Sequence, residues 1–116
     1  MQTCEIRILP EAEDFLSILP QTLVAEGYLS TYEDAEKIVD DIVDFISQLP
    51  NVPHYKIDDS LAYHFAYLGT DIEYAFFRRK SARKTTWYVF FEQNQGRILV
   101  KHITKGYSGN SIKLAN

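Results

Sequence analysis

The chain opens on an alternation. In Thr3 to Leu9 the apolar Cys4, Ile6 and Ile8 are separated by Glu5 and Arg7, the period of a half-buried strand. Pro10 follows, with Glu11, Glu13 and Asp14 just behind it. Proline at the first helical position and acids in the first turn suit a helix N-terminus. Ala12, Phe15, Leu16 and Leu19 form its apolar stripe. Pro20 is expected to end or kink this helix, with one or two further turns before Gly27. A second helix is predicted over STYEDAEKIVDDIVDFISQLP, with Thr31 as cap and Asp34 three residues later. Ile38, Ile42, Phe45 and Leu49 recur on its inner face, widened by Val39 and Ile46, while Asp40, Asp41 and Asp44 lie on a solvated face. Pro50 and Pro53 stop it.

The second half changes period. His54 to Gly69 reads either way, and a short helix is expected there, capped by Asp59 or Ser60 and ended at Gly69. From Ile72 the chain reads as strands: IEYAFFRR, then TTWYVFFE, then RILVKHITK. The last two are joined through QNQG as a hairpin. A strand, two helices and then at least three antiparallel strands make an α+β domain, with the helices on one sheet face. One domain over residues 1–116 is expected, since no Pro/Gly/Ser-rich linker divides the chain.

Composition sharpens this picture. Hydrophobic residues make up 46% of the 116, enough for a core. The single cysteine, Cys4, permits no internal disulfide and fits a reducing, cytoplasmic setting. Glu5 and Arg7 argue against a signal peptide, and no apolar run is long enough to span a membrane.

Charge is divided unevenly. Residues 1–60 carry thirteen acids and three bases, and residues 61–116 three acids and nine bases, within a net charge of −4. The sharpest concentration is FFRRKSARKTTWYVFF, with five cations in the seven residues from Arg78 to Lys84. Such a split gives an acidic and a basic region. The basic one suits nucleic acid or an acidic partner, unless the two halves simply neutralise each other locally.

The order of these segments resembles the RelE/ParE toxin superfamily of bacterial toxin–antitoxin systems. EIRILPEAEDFLSILP looks like the family's first strand and the start of its first helix. LGTDIEYAFFRR and TTWYVFFEQNQGRILVKHITKG look like its later strand ending in Arg and its following hairpin. The resemblance implies a sheet cupped by helices, a cognate antitoxin as partner, and, in the ribonuclease branch, cleavage of mRNA in the ribosome. It places a phosphate contact at Arg78 or Arg79 and a basic residue at Lys105. In two places the sequence departs from the ribonuclease pattern. Thr86 stands where those members carry an Arg, and Ser108 followed by SIKLAN stands where they end with an Arg and a Tyr.

Cleaving an RNA phosphodiester without metal requires a base, an acid and cations for the phosphorane. Arg78, Arg79, His102 and Tyr107 are the catalytic candidates. Arg78, Arg79, Lys80, Arg83, Lys84 and Lys105 are the candidates for holding a polyanion, the forked guanidinium suiting phosphate best. Plainer readings stand beside these: His102 and Tyr107 as ordinary strand residues, the cation cluster as a solvated turn, and Phe76, Phe77, Trp87, Phe90 and Phe91 as core. His54, His64 and His102 have no metal-ligand spacing, no glycine-rich phosphate loop is present, and no cofactor is expected. Two functions follow. One is a toxin that inhibits translation by cutting mRNA, and the other is a non-catalytic binding protein on the same fold.

Overall fold

A central strand with no polar face dictates the architecture. The computed structural model describes residues 4–27, 29–57, 69, 71–79 and 82–107, with 82–84 and 107 described by backbone alone. Their elements run β1 (Glu5–Ile8), α1 (Pro10–Ala25), α2 (Tyr32–Ser47), a single 3-10 turn at Leu49–Asn51, β2 (Tyr55–Lys56), β3 (Ile72–Arg79), β4 (Ala82–Asn94) and β5 (Arg97–Tyr107). The five strands form one sheet in the order β1-β5-β4-β3-β2. From Thr85 to Phe91 every β4 residue is buried, so this strand lies under cover on both faces.

The α+β class expected from the sequence is what is observed, and two details correct it. The sheet is mixed rather than antiparallel throughout, because β1 pairs with β5 in parallel, Glu5 opposite Arg97 and Ile8 opposite Val100. A short strand, β2, also precedes the meander and pairs with β3 through Tyr55 and Tyr74. Two residues give almost no periodicity to read, and Pro53, two positions before them, has no N–H with which to extend the pairing. The short helix expected between Asp59 and Gly69 lies outside the described residues.

The helices obey their sequence signals. Thr31 caps α2, its hydroxyl accepting from the Asp34 N–H at 3.1 Å. Such a cap is worth about 1 kcal/mol. In α1, Pro20 does not end the helix, which continues to Ala25. Its ring is buried with Leu16, Leu19 and Leu23, and this packing offsets the lost hydrogen bond. Gly27, at φ +75, then turns the chain where a residue with a Cβ would be strained.

Both helices lie on one face of the sheet. There Leu16, Leu23, Ile38, Ile42 and Ile46 meet Ala75, Trp87, Val89, Phe91, Ile98 and Ile103 in the main core. A second, smaller cluster of Ile72, Tyr88 and Phe90 occupies the other face, with Ile57 and Tyr74 against it. The alternation of β3 divides its residues between the two faces. Ala75 and Phe77 go to the helices, and Ile72 and Tyr74 to the other side.

The β4–β5 hairpin closes through Gln95 and Gly96, both at positive φ, 50 and 77. This is the two-residue turn whose twist matches the strands. Further along, Phe90 faces His102 but Phe91 faces Val100, so Lys101 is the extra residue of a bulge. Its ammonium reaches Glu92 at 2.8 Å. Among the described residues no helix is long and apolar enough to cross a membrane.

Ile42 is fully buried at the centre of α2, whereas Val43 beside it is largely exposed. Ile42→Ala should cost about 2–5 kcal/mol, and Val43→Ala should stay within about 0.5 kcal/mol. Urea midpoints at constant slope measure both.

Candidate polyanion-binding end of the sheet

The cation cluster sits at one end of the β3–β4 pair. Arg78 faces Thr86, but Arg79 faces Ala82. The register therefore jumps, and Arg83, Lys84 and Thr85 fall within the irregular stretch. Lys80 lies outside the described residues, and Arg83 and Lys84 are placed by backbone alone. This end of the sheet thus collects Arg78 and Arg79 with the backbone of Arg83 and Lys84. The Tyr107 backbone, opposite Thr85 on β5, lies at the same end.

The two arginines are neighbours in sequence and not in space. Strand geometry sends them to opposite faces. Arg79 turns to the helix side and binds Asp41 of α2, Nε to Oδ2 at 2.5 Å. Arg78 turns to the other side, where its Nε donates to the Thr86 hydroxyl at 3.1 Å. Thr86 is 1% exposed, so this bond fixes the arginine from below. Its guanidinium opposes the effect of burial on Tyr88, although burial prevails and holds the phenol above its ordinary pKa.

Most of the other described cations are already paired with acids. Lys105, on β5 opposite Trp87, reaches Glu26 at the end of α1 at 3.3 Å. Arg7 and Arg97 share Glu5 at 2.9 and 3.5 Å, and the Arg7 bond foremost holds that carboxyl below its usual range. Lys101 has Glu92, and Lys37 has Asp34. The halves of the chain therefore neutralise one another at several points. Asp41, read from the sequence as part of a solvated face, is one of them.

His102 is not part of this end. It pairs with Phe90, four residues along β4 from Thr86, which is ~13 Å of strand. Its ring lies 5.8 Å from that of Phe90, and its Nδ1 is 3.8 Å from a Glu11 carboxylate oxygen. Burial lowers its pKa, and Glu11 opposes that only in part. His102 is therefore a neutral, packed residue near pH 7.

A groove of about 550 Å³ runs between α2 and β3 at the same end. Phe45, Val52 and Phe77 line it with apolar surface, Asp41, Asp44 and Arg79 give it charge, and Arg78 borders it at the strand end. The rings of Phe45 and Phe77 stack at 4.6 Å. Across the sheet, Tyr55 and Phe76 are exposed by 41% and 40%. Phe76, read with the core aromatics, is thus a surface ring, whereas Trp87, Phe90 and Phe91 are buried as expected. The alternation of IEYAFFRR carried the signal: it puts Phe76 on the face with Arg78, away from Phe77. No family model, no curated protein and no solved structure matches this chain.

Two outcomes follow. His102 has a depressed folded pKa, so the unfolded chain takes up its proton first as pH falls. Stability should be complete above pH ~6.5 and decline below it. In His102→Gln the slope of melting temperature against pH in that window should flatten. Asp41 is half exposed, so the pair it forms with Arg79 is screened, and Asp41→Asn should cost less than about 1 kcal/mol in urea unfolding.

Proposed function

We propose that this chain is a non-catalytic binding protein on a scaffold like that of the RelE/ParE toxins. It holds an acidic or polyanionic partner at the β3–β4 end without cutting RNA there. The observation that carries this reading is the dispersal of the catalytic candidates. General acid–base cleavage needs its groups within hydrogen-bond reach of one phosphate. Arg78 and Arg79 project from opposite faces, Arg79 is held by Asp41 and Lys105 by Glu26. His102 sits well up the sheet beside Phe90.

The toxin-like part of the reading rests on the resemblance in sequence. Its support in the fold is coarse: an α+β domain with both helices over one face of the sheet. A cognate antitoxin segment has a place in the groove between α2 and β3. The apolar floor of Phe45, Val52 and Phe77 suits apolar side chains, and Asp41 and Asp44 suit basic ones.

One observation favours the ribonuclease reading, in which the ribosome and mRNA are the partners. Arg78, Arg79 and the Tyr107 backbone do meet at one end of the sheet. Induced expression in a bacterial host separates the two readings through growth, translation and message integrity. Messages should remain whole on induction, whether or not growth stops. Messages cut on induction, and whole again in an Arg78→Ala, Arg79→Ala double variant, would replace the binding reading with the nuclease one.

A further inference from the structure

The sheet face away from the helices carries a continuous run of rings. Tyr55 stacks on Tyr74 at 5.5 Å and on Phe76 at 5.4 Å, with planes within 30° of parallel in both pairs. Beneath and beside them lie Tyr88, 5.9 Å from Phe76, and Phe90, 5.7 Å from Tyr74. Tyr88 and Phe90 are buried, and among the described rings of this face Tyr55 and Phe76 are the ones that reach solvent. Two large aromatic side chains are therefore exposed on a backing that prevents them from collapsing inward.

Arg78 lies two residues beyond Phe76 on the same strand, ~6.7 Å along the same face. Arg7, Arg79, Arg97, Lys37, Lys101 and Lys105 each have a carboxylate partner. Among the described residues none pairs with Arg78. It is steered by the buried Thr86 hydroxyl through Nε alone, which leaves its two terminal amino groups for a ligand. The register puts two strand carboxylates on this face: Glu92 opposite Ile72, which Lys101 reaches at 2.8 Å, and Glu5 opposite Arg97, which Arg97 and Arg7 hold. Among the described residues, Arg78 is thus the β3 cation that stands on the face of the rings without a carboxylate partner, although the chain as a whole is acidic.

We infer that this face is a stacking site for single-stranded nucleic acid. A base lies on Phe76 and Tyr55, and the neighbouring phosphate is taken by Arg78. Flat exposed rings accept any base through its π-face, and the guanidinium fork matches phosphate oxygens. Bases in a duplex are already stacked and present no free face, so the site selects single strands. It lies across the sheet from the α2–β3 groove, and it goes beyond the reading above: it requires neither toxicity nor an antitoxin.

Fluorescence anisotropy with purified protein and labelled twelve-nucleotide probes, oligo-dT and oligo-rU, tests this. A third probe with the same phosphates but no bases separates stacking from charge. We expect both base-bearing oligomers to bind at low salt and the abasic one to bind at least tenfold more weakly. Phe76→Ala and Tyr55→Ala should each weaken oligo-dT binding about tenfold. Arg78→Gln should reduce the slope of log affinity against log salt by about 0.7. All three positions are exposed, and circular dichroism melts confirm that the variants fold. A preference for dT or rU identifies DNA or RNA as the ligand and supports the site in either case. Equal affinity for the abasic probe overturns the stacking site in favour of a purely electrostatic rim. Failure to bind any probe, or capture of a polyglutamate peptide in place of oligo-dT, overturns the proposal.

Discussion

The burial of β4 on both faces is the constraint to which the rest of the molecule is fitted. A strand whose side chains are apolar in both directions cannot sit at an edge or against water on one side. It needs neighbours for its backbone and cover for both of its faces. β3 and β5 provide the neighbours, and α1 and α2 cover one face with a continuous aliphatic surface. On the second face its own rings, Tyr88 and Phe90, pack with Ile72, Tyr74 and Ile57 from other segments. Where the strand reaches the cations, its burial becomes polar. Thr85 and Thr86 are the buried polar residues of the described set, and the hydroxyl of Thr86 there meets an arginine in place of a core side chain.

The alternation of strands then decides what the charged end can do. Adjacent arginines in a helix or loop can close on one anion, but in a strand they are divided by the sheet itself. The helix-side arginine meets the acidic α2 and is neutralised. The other emerges among rings, without a carboxylate. Two neighbouring letters of the sequence thus acquire different chemistries from a geometry with a period of two.

Much of the fold was legible because its signals were local. The cap at Thr31, the stripe through Ile38, Ile42 and Ile46, and the turn at Gln95–Gly96 each depend on residues a few positions apart. Two features were not legible, for a shared reason. The parallel pairing of β1 with β5 and the ion pair between Arg79 and Asp41 both depend on partners remote in sequence. No window along the chain contains both halves of these interactions. The candidate site was legible as a concentration of charge, but not as a geometry. RRKSARK announced the cations, whereas their division between faces needed the β3–β4 register. Phe76 was misread with the core because a run of aromatics conceals its own alternation.

The parallel pair β1–β5 has a consequence for how the chain is assembled. Glu5 can find Arg97 only after the long stretch of chain between them has left the ribosome. The packed helices α1 and α2 and the β4–β5 hairpin are local and can form early. β1 is therefore paired only once β5, far later in the chain, has emerged. Until then its apolar side chains, Cys4, Ile6 and Ile8, have no sheet to join, and the outer edge of β5 stays open. Long-range pairing of this kind slows folding and prolongs exposure of an unpaired edge. Among the described strands, vulnerability to misassembly is thus concentrated at β1 and the edge of β5, the seam of longest range.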